Sequence, residues 1–203
     1  LRKIIHSAHQ VIAVSQFTAD QVKQLEPSAA VTVIHPAAGI TSTLTPQVVA
    51  NLPAEFILSV GRLVERKGFD QVIKSLEQFP TLHYVLAGNG ADQARLQQLA
   101  QRIGVTNRVH VYNQLTDHEI AYLYQHCLFL VMPSRQLADG DVEGFGIVVL
   151  EANSFGKVAI GGQAGGMPDA IQDGKTGLLV DGTNQTAITK AIASLLDVDY
   201  RHS

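Results

Sequence analysis

Two stretches of this chain combine residue types that could do chemistry together. The first is Glu143-Gly-Phe-Gly-Ile-Val-Val-Leu-Glu151. A carboxylate precedes a Gly-Phe-Gly turn, an apolar helical run follows, and a second carboxylate comes eight residues after the first. Gly144 and Gly146 let backbone approach a ligand closely. A helix beginning there directs unpaired N–H groups and a positive dipole end at an anion. The backbone N–H groups of Phe145, Ile147 and Val148 then form a phosphate cradle, with Glu143 as an acid group beside it. The second stretch is Gly61-Arg62-Leu-Val-Glu-Arg-Lys67-Gly68. Arg62 offers a forked set of donors and Lys67 a mobile point charge, a pair suited to a diphosphate. An isolated R-x4-K is most often a solvated loop. Here it directly follows an apolar run at 56–60, in the order strand, Gly, Arg, Lys, Gly.

The surrounding pattern supplies the elements that would hold these groups. Short apolar runs at 56–60, 84–87, 109–112, 128–132, 158–160 and 177–180 alternate with helical periodicity. Leu96, Leu99, Ala100 and Ile103 recur at i, i+3, i+4 and i+7, as do Ile120, Leu123, Tyr124 and Cys127. Thr116 and Glu119 form a capping box. A last amphipathic helix starts near Asn184, which fits a cap better than a glycosylation site. Strands that are continuous apolar runs belong to a parallel sheet covered on both faces. The expected fold is therefore α/β, a doubly wound parallel, Rossmann-like sheet. Ligands bind such sheets outside the carboxyl ends of the strands, where both chemical stretches fall. The first 54 residues read differently. Short strands are expected at 11–14 and 31–35, a helix start at Thr18, and a linker through 36–54 rich in Thr, Pro and small residues.

Composition narrows the function. The chain has 203 residues, is 46% hydrophobic and carries a net charge of −3. That charge gives no footprint for nucleic acid, and the absence of Trp removes the best stacking platform. One cysteine, Cys127, makes no intramolecular disulfide, so a reducing compartment is the default. No apolar run approaches the roughly 18 residues needed to span a bilayer. Leu1 in place of Met, and a tail at 197–203 without a terminating signal, predict a fragment of a longer polypeptide. Histidines 6, 9, 118 and 126 read as surface or packed residues.

With the motifs in this order, the chain resembles retaining glycosyltransferases of the GT-B fold, most closely family 4, over residues 11–196. Glu143 and Glu151 match the E-x7-E motif of that family. Within the family, the run Asp-Val-Glu-Gly-Phe-Gly-Ile-Val is similar to the phosphatidylinositol mannosyltransferase group, which implies GDP-mannose as donor. The resemblance implies a remnant of the N-terminal domain at 1–40, a linker at 41–54, and a donor-binding domain at 55–196. It makes Arg62 and Lys67 the groups that stabilise the departing diphosphate, and Glu143 the contact to the sugar hydroxyls. Catalytic roles thus fall on Arg62, Lys67 and Glu143. Donor contacts fall on Gly61, Gly88, Asn113, Leu115, Gly144, Phe145, Gly146, Ile147, Val148 and, through the ribose, Glu151.

A fully helical span of eight residues would separate the two glutamates by about 12 Å. That is wider than the roughly 5–9.5 Å of glycosidase carboxylate pairs, so two anchoring jobs are expected. Ala87-Gly88-Asn89-Gly90 resembles the family's G-x-G turn, and Asn113 stands where relatives have Gly, with a left-handed conformation open to it. Gly161 to Asp169 resembles the G-G-x-P-E turn, with Asp169 for Glu. Thr41 replaces the Asp that usually closes the crossing between domains. Asp139-Gly140-Asp141 spells a D-x-D, but Arg62 and Lys67 already compensate charge, so neither a metal nor another cofactor is expected. The partners implied are a nucleotide-sugar donor and an acceptor glycan, lipid or small molecule bound by the N-terminal half. The expected place is the cytoplasm, with membrane association of the parent left to that half. A GT-B epimerase or phosphorylase, and a nucleotide-binding module without catalysis, are the alternatives.

Overall fold

In a computed structural model, which describes residues 1–197, the chain builds two parallel sheets. The predicted tail lies, from residue 198 onward, outside the described residues. The small sheet pairs β1 (Val11–Ala13) with β2 (Val31–Val33), bridged by α2 (Gln16–Leu25) and preceded by α1 (Arg2–Ser7). The large sheet has the order β5-β4-β3-β6-β7-β8. Its strands are β3 (Phe56–Val60), β4 (His83–Ala87), β5 (Val109–Tyr112), β6 (Leu130–Met132), β7 (Ala159–Gly162) and β8 (Gly177–Val180), all parallel. This is the doubly wound α/β arrangement the alternating runs predict. Its order reverses between β3 and β6, and that reversal opens a crevice at the carboxyl ends of the two strands.

Every residue of β3, β6 and β7 is buried, which is why these strands carry no polar alternation. The one polar group inside β3, Ser59, is satisfied rather than stranded. Its hydroxyl meets Tyr84 Oη at 2.7 Å and donates to the Val131 carbonyl, joining the three central strands. Helices α3 (Phe69–Ser75), α4 (Gln93–Arg102), α5 (Asp117–His126), α6 (Ile147–Ser154), α7 (Met167–Ala170) and α8 (Gln185–Leu196) follow. Thr116 and Glu119 form their capping box on α5, and the Asn184 side chain accepts the Ala187 N–H at the start of α8. None of the described helices is long and apolar enough to cross a membrane.

Several local expectations are corrected. α2 begins at Gln16 and is capped by Ser15, whose hydroxyl accepts the Thr18 N–H; Thr18 lies inside the helix. Ser and Thr cap comparably, so either oxygen could have served. His9 lies beyond the end of α1 and is no helical neighbour of His6. β6 begins two residues later than its apolar run. Residues 34–55 hold no helix or strand, yet Ile40 and Val49 are buried in the main core, so the linker is docked along the large domain.

Candidate functional site

The loop after β3 leaves the sheet through Gly61 and closes in a single 3-10 turn, Glu65–Lys67. It is held down by its neighbour. Gly61 N–H donates to the Ala87 carbonyl and Leu63 N–H to the Asn89 carbonyl. The G-x-G turn after β4 serves this packing. A Cβ on Gly88 would sit 2.0 Å from the Gly61 carbonyl oxygen, and φ is +146° there. Only glycine allows that approach. Gly88 also borders a cavity of about 270 Å³ with Gly61, Arg62, Asn89, Gln114, Leu115 and Ile120. Arg62 is exposed here and makes no ion pair among the described residues. Asn113 does not line this cavity, and it is Gln114, at φ +58°, that takes the left-handed conformation expected of Asn113. The turn is displaced by one residue, which brings Gln114 and Leu115 to the cavity wall.

A second cavity, about 310 Å³, is lined by Lys67, Glu143, Gly144, Phe145, Gly146, Ile147 and Val148, together with Val14 and Pro36 from the first segment. Lys67 lines this second cavity, and its Nζ lies 3.7 Å from the place a Cβ would occupy on Gly61, a residue of the first. α6 starts at Ile147 with Gly146 as its N-cap at φ +102°. That φ favours glycine, and a Cβ there would come within 2.7 Å of Met167 Sδ, so the methionine side chain would have to shift. The first N–H groups of α6 have no partner inside the helix and border this cavity. Phe145 is buried, its ring 5.3 Å from the ring of His35.

Glu143 lies before α6, not on it, so its separation from Glu151 is not set by helical rise. Its Oε2 accepts from Lys67 Nζ at 2.5 Å and Arg66 Nη1 at 2.8 Å. Burial alone would raise this carboxyl; Lys67 and Arg66 more than offset it, and the group is held below the usual glutamate value. Sequence reasoning passed over Arg66, whose side chain is only 10% exposed and which also reaches Asp141 at 3.3 Å. Asp139 Oδ1 accepts the Asp141 N–H, so the D-x-D side chains are engaged within the protein.

Glu151, expected at the ribose, is turned inward. It is buried and lines neither cavity. Its Oε2 accepts from Tyr124 Oη at 2.8 Å and its Oε1 from the Ile40 N–H at 3.2 Å. Burial, followed by the Glu151 charge, pushes the Tyr124 hydroxyl well above its ordinary value. Asp169, in the turn after β7, reaches the first segment. Its Oδ2 accepts from the Gln16 N–H at 2.6 Å and lies 3.1 Å from His35 Nε2. Thr41 makes a local contact with Thr43, Oγ1 to Oγ1 at 2.7 Å.

Comparison with known proteins identifies the family and agrees with the fold. Residues 42–202 match the family described as glycosyl transferases group 1. A GDP-mannose-dependent alpha-(1-6)-phosphatidylinositol monomannoside mannosyltransferase of Mycolicibacterium smegmatis is 37% identical over 145 residues, covering 69% of this chain and 38% of the relative. A D-inositol 3-phosphate glycosyltransferase of Mycobacteroides abscessus is 27% identical over 210 residues, covering 96% of this chain and 46% of the relative. The chain therefore spans less than half the length of these relatives. Among solved structures, sucrose-phosphate synthase of Thermosynechococcus elongatus superposes with a TM-score of 0.85 at 26% identity, covering 98% of this chain and 52% of that one. HepE of Anabaena in complex with UDP-glucose gives 0.81 at 25% identity, covering 96% and 56%.

Proposed function

The chain belongs to the glycosyl transferases group 1 family, and on that premise we propose that it is the donor-binding half of a retaining, family 4 glycosyltransferase that uses a nucleotide sugar. In this reading residues 1–40 are the end of an acceptor-binding domain, 41–54 the linker, and 55–196 the donor domain. The observation that carries it is a pair of cavities, one lined by Gly61 and Arg62 and the other by Lys67 and Glu143, with Lys67 Nζ beside Gly61. Both sit at the carboxyl ends of strands flanking the reversal in the sheet, the place where such folds bind ligands.

Each group then has a physical role. The cavity at Gly61, Gly88, Gln114 and Leu115 takes the nucleoside. Arg62 and Lys67 face the diphosphate, and the free N–H groups at the start of α6 add partial positive charge. As the glycosidic bond to phosphate breaks, negative charge grows on the leaving diphosphate. Donors fixed at that place stabilise the developing charge without reorganising. Glu143 orients the sugar through its hydroxyls. By likeness to the family Glu151 takes the ribose hydroxyls, although its carboxylate here lines neither cavity and is held by Tyr124 and the Ile40 N–H. Retention of configuration rests on the likeness of the Glu143–Glu151 stretch to the retaining enzymes. GDP-mannose is the leading donor, because a mannosyltransferase 37% identical to this chain over 145 residues carries GDP-mannose in its name. The acceptor is a glycan, lipid or small molecule held by the polypeptide that relatives possess beyond this chain, and the enzyme works in the cytoplasm.

Calorimetric titration with GDP, UDP, ADP and their sugar conjugates tests this. GDP-mannose is expected to bind saturably, and Arg62→Ala to weaken it by roughly tenfold or more. Preference for UDP-glucose would overturn the donor assignment. Binding of no nucleotide would overturn the donor-domain reading itself.

A further inference from the structure

Arg66 takes no part in the donor contacts above, yet it is among the most enclosed charges in the chain. Its guanidinium is fixed on two carboxylates, Glu143 at 2.8 Å and Asp141 at 3.3 Å. Its backbone is fixed as well, since the Arg66 carbonyl accepts the Arg135 N–H at 2.8 Å. Arg135 is tied in turn to Asp70 at 3.0 Å and to Glu65 at 3.6 Å. Lys67, the next residue, has Glu143 as its one ion-pair partner among the described residues. The two cations converge on the same oxygen, Glu143 Oε2, and leave Oε1 without a hydrogen bond among the described residues.

These two cations differ in kind. A guanidinium is planar, weakly hydrated and suited to a rigid fork between carboxylates; an ammonium on a four-carbon stem rotates readily. With no anion present, one carboxylate holds two positive charges. A diphosphate arriving beside Gly61 competes for the one that can turn. Lys67 is placed for that, because its Nζ already borders Gly61. Glu143 would keep Arg66 and so remain charged and in place.

We propose that Arg66 is the positioning residue that anchors Glu143, and that Lys67 exchanges Glu143 for the diphosphate when nucleotide binds. This deepens the donor-binding reading and rests on it. The charged groups facing Glu143 among the described residues are Lys67 and Arg66, with Asp141 reaching it only through Arg66. Without Arg66, Lys67 is the sole counter-charge of a half-buried carboxylate and is no longer free to leave.

A double-mutant cycle on this chain, read by GDP affinity, tests the exchange. Arg66→Gln is expected to lower GDP affinity about tenfold. Glu143→Gln alone is expected to tighten GDP binding, since Lys67 then has no competing partner. In the Glu143→Gln background, Arg66→Gln is expected to change affinity by less than about twofold, within the usual error of additivity. Arg66→Lys, which keeps a cation, is expected to restore most of the loss and controls for folding. An equal loss in both backgrounds, or no loss in either, overturns the proposal. A carboxyl NMR titration of Glu143 without nucleotide separates it from the parent reading. Arg66→Gln is expected to move the Glu143 midpoint upward, and an unmoved midpoint overturns the anchoring role. Failure of the unaltered chain to bind GDP, UDP or ADP would instead sink the donor reading, with the titration still deciding whether Arg66 holds Glu143.

Discussion

Glu143 closes a loop after β6 and meets two cations, Arg66 at 2.8 Å and Lys67 at 2.5 Å. Glu151, on the second turn of α6, meets a phenol and a backbone amide, Tyr124 Oη at 2.8 Å and the Ile40 N–H at 3.2 Å. Both side chains are largely enclosed, and both belong to one nine-residue stretch. Glu143 is compensated by charge and keeps one oxygen free beside a cavity. Glu151 is compensated by neutral donors and has both oxygens engaged, one of them on the segment that joins the two sheets. Shared motif membership therefore conceals two designs. One carboxylate sits between a fixed guanidinium and an ammonium that can turn, the other ties the 36–54 segment to α5 and α6. A ribose reaching Glu151 has to share oxygens already in use.

The sharpest way to break this contrast is Glu143→Ala. It leaves Lys67 enclosed without its ion-pair partner and Arg66 with Asp141 alone, a loss expected to cost about 3 kcal/mol of stability at neutral pH. Urea unfolding measures it. The folded-state carboxyl lies below its ordinary value of 4.5. Its contribution is therefore complete above that value and is lost as pH falls through the lower folded-state value. The gap between the parent chain and Glu143→Ala should close in acid. A gap that stays constant across that range would mean that the charge pairing is not what stabilises this corner.

Tyr124→Phe is the matching probe at the other end. It removes one donor from a buried carboxylate and leaves Glu151 Oε2 unsatisfied, at a cost of about 2 kcal/mol by the same unfolding measurement. Because Tyr124 packs at the centre of the large domain, the whole cooperative transition should shift. A cost above that of Glu143→Ala would reverse the ranking of charged and neutral compensation argued here.

These pairings were not legible in the sequence, whereas the sheet was. Strands such as β3 and β6 are buried on both faces, so their residues announce themselves as unbroken apolar runs. Thr116 with Glu119, and Asn184, are local signals read within one helical turn. Arg66 and Glu143 stand 77 residues apart, and neither helical nor strand periodicity encodes such a partner. Arg66 was hidden further by its neighbours, since Glu65-Arg66-Lys67 looks like any solvated charged turn. Glu151 did leave a trace. It is the one charged residue of an eight-residue helix otherwise made of apolar, small and amide side chains, and a carboxylate in such a helix needs buried donors. The displaced turn at Gln114 had no trace, because Asn113 is the residue that ordinarily takes a left-handed conformation.

The smallest expected effect lies where the first segment meets the large domain. Asp169 accepts the Gln16 N–H at 2.6 Å, and Gln16 is the first residue of α2. A carboxylate from one unit thus satisfies an unpaired donor, and opposes the dipole, of a helix in the other. His35, 3.1 Å away on the same oxygen, ties down the end of β2 in the same way. Asp169→Ala removes both contacts, and about 1 kcal/mol is expected because the partners are half in solvent. The loss should be local. Hydrogen exchange should quicken in α2, β1 and β2, while amides of β3 and β6, whose contacts lie wholly within the large sheet, keep their protection. Uniform loss of protection would show that Asp169 supports α7 and β7 instead. Quickening confined to the small sheet would identify this contact as the place where the two units part most readily.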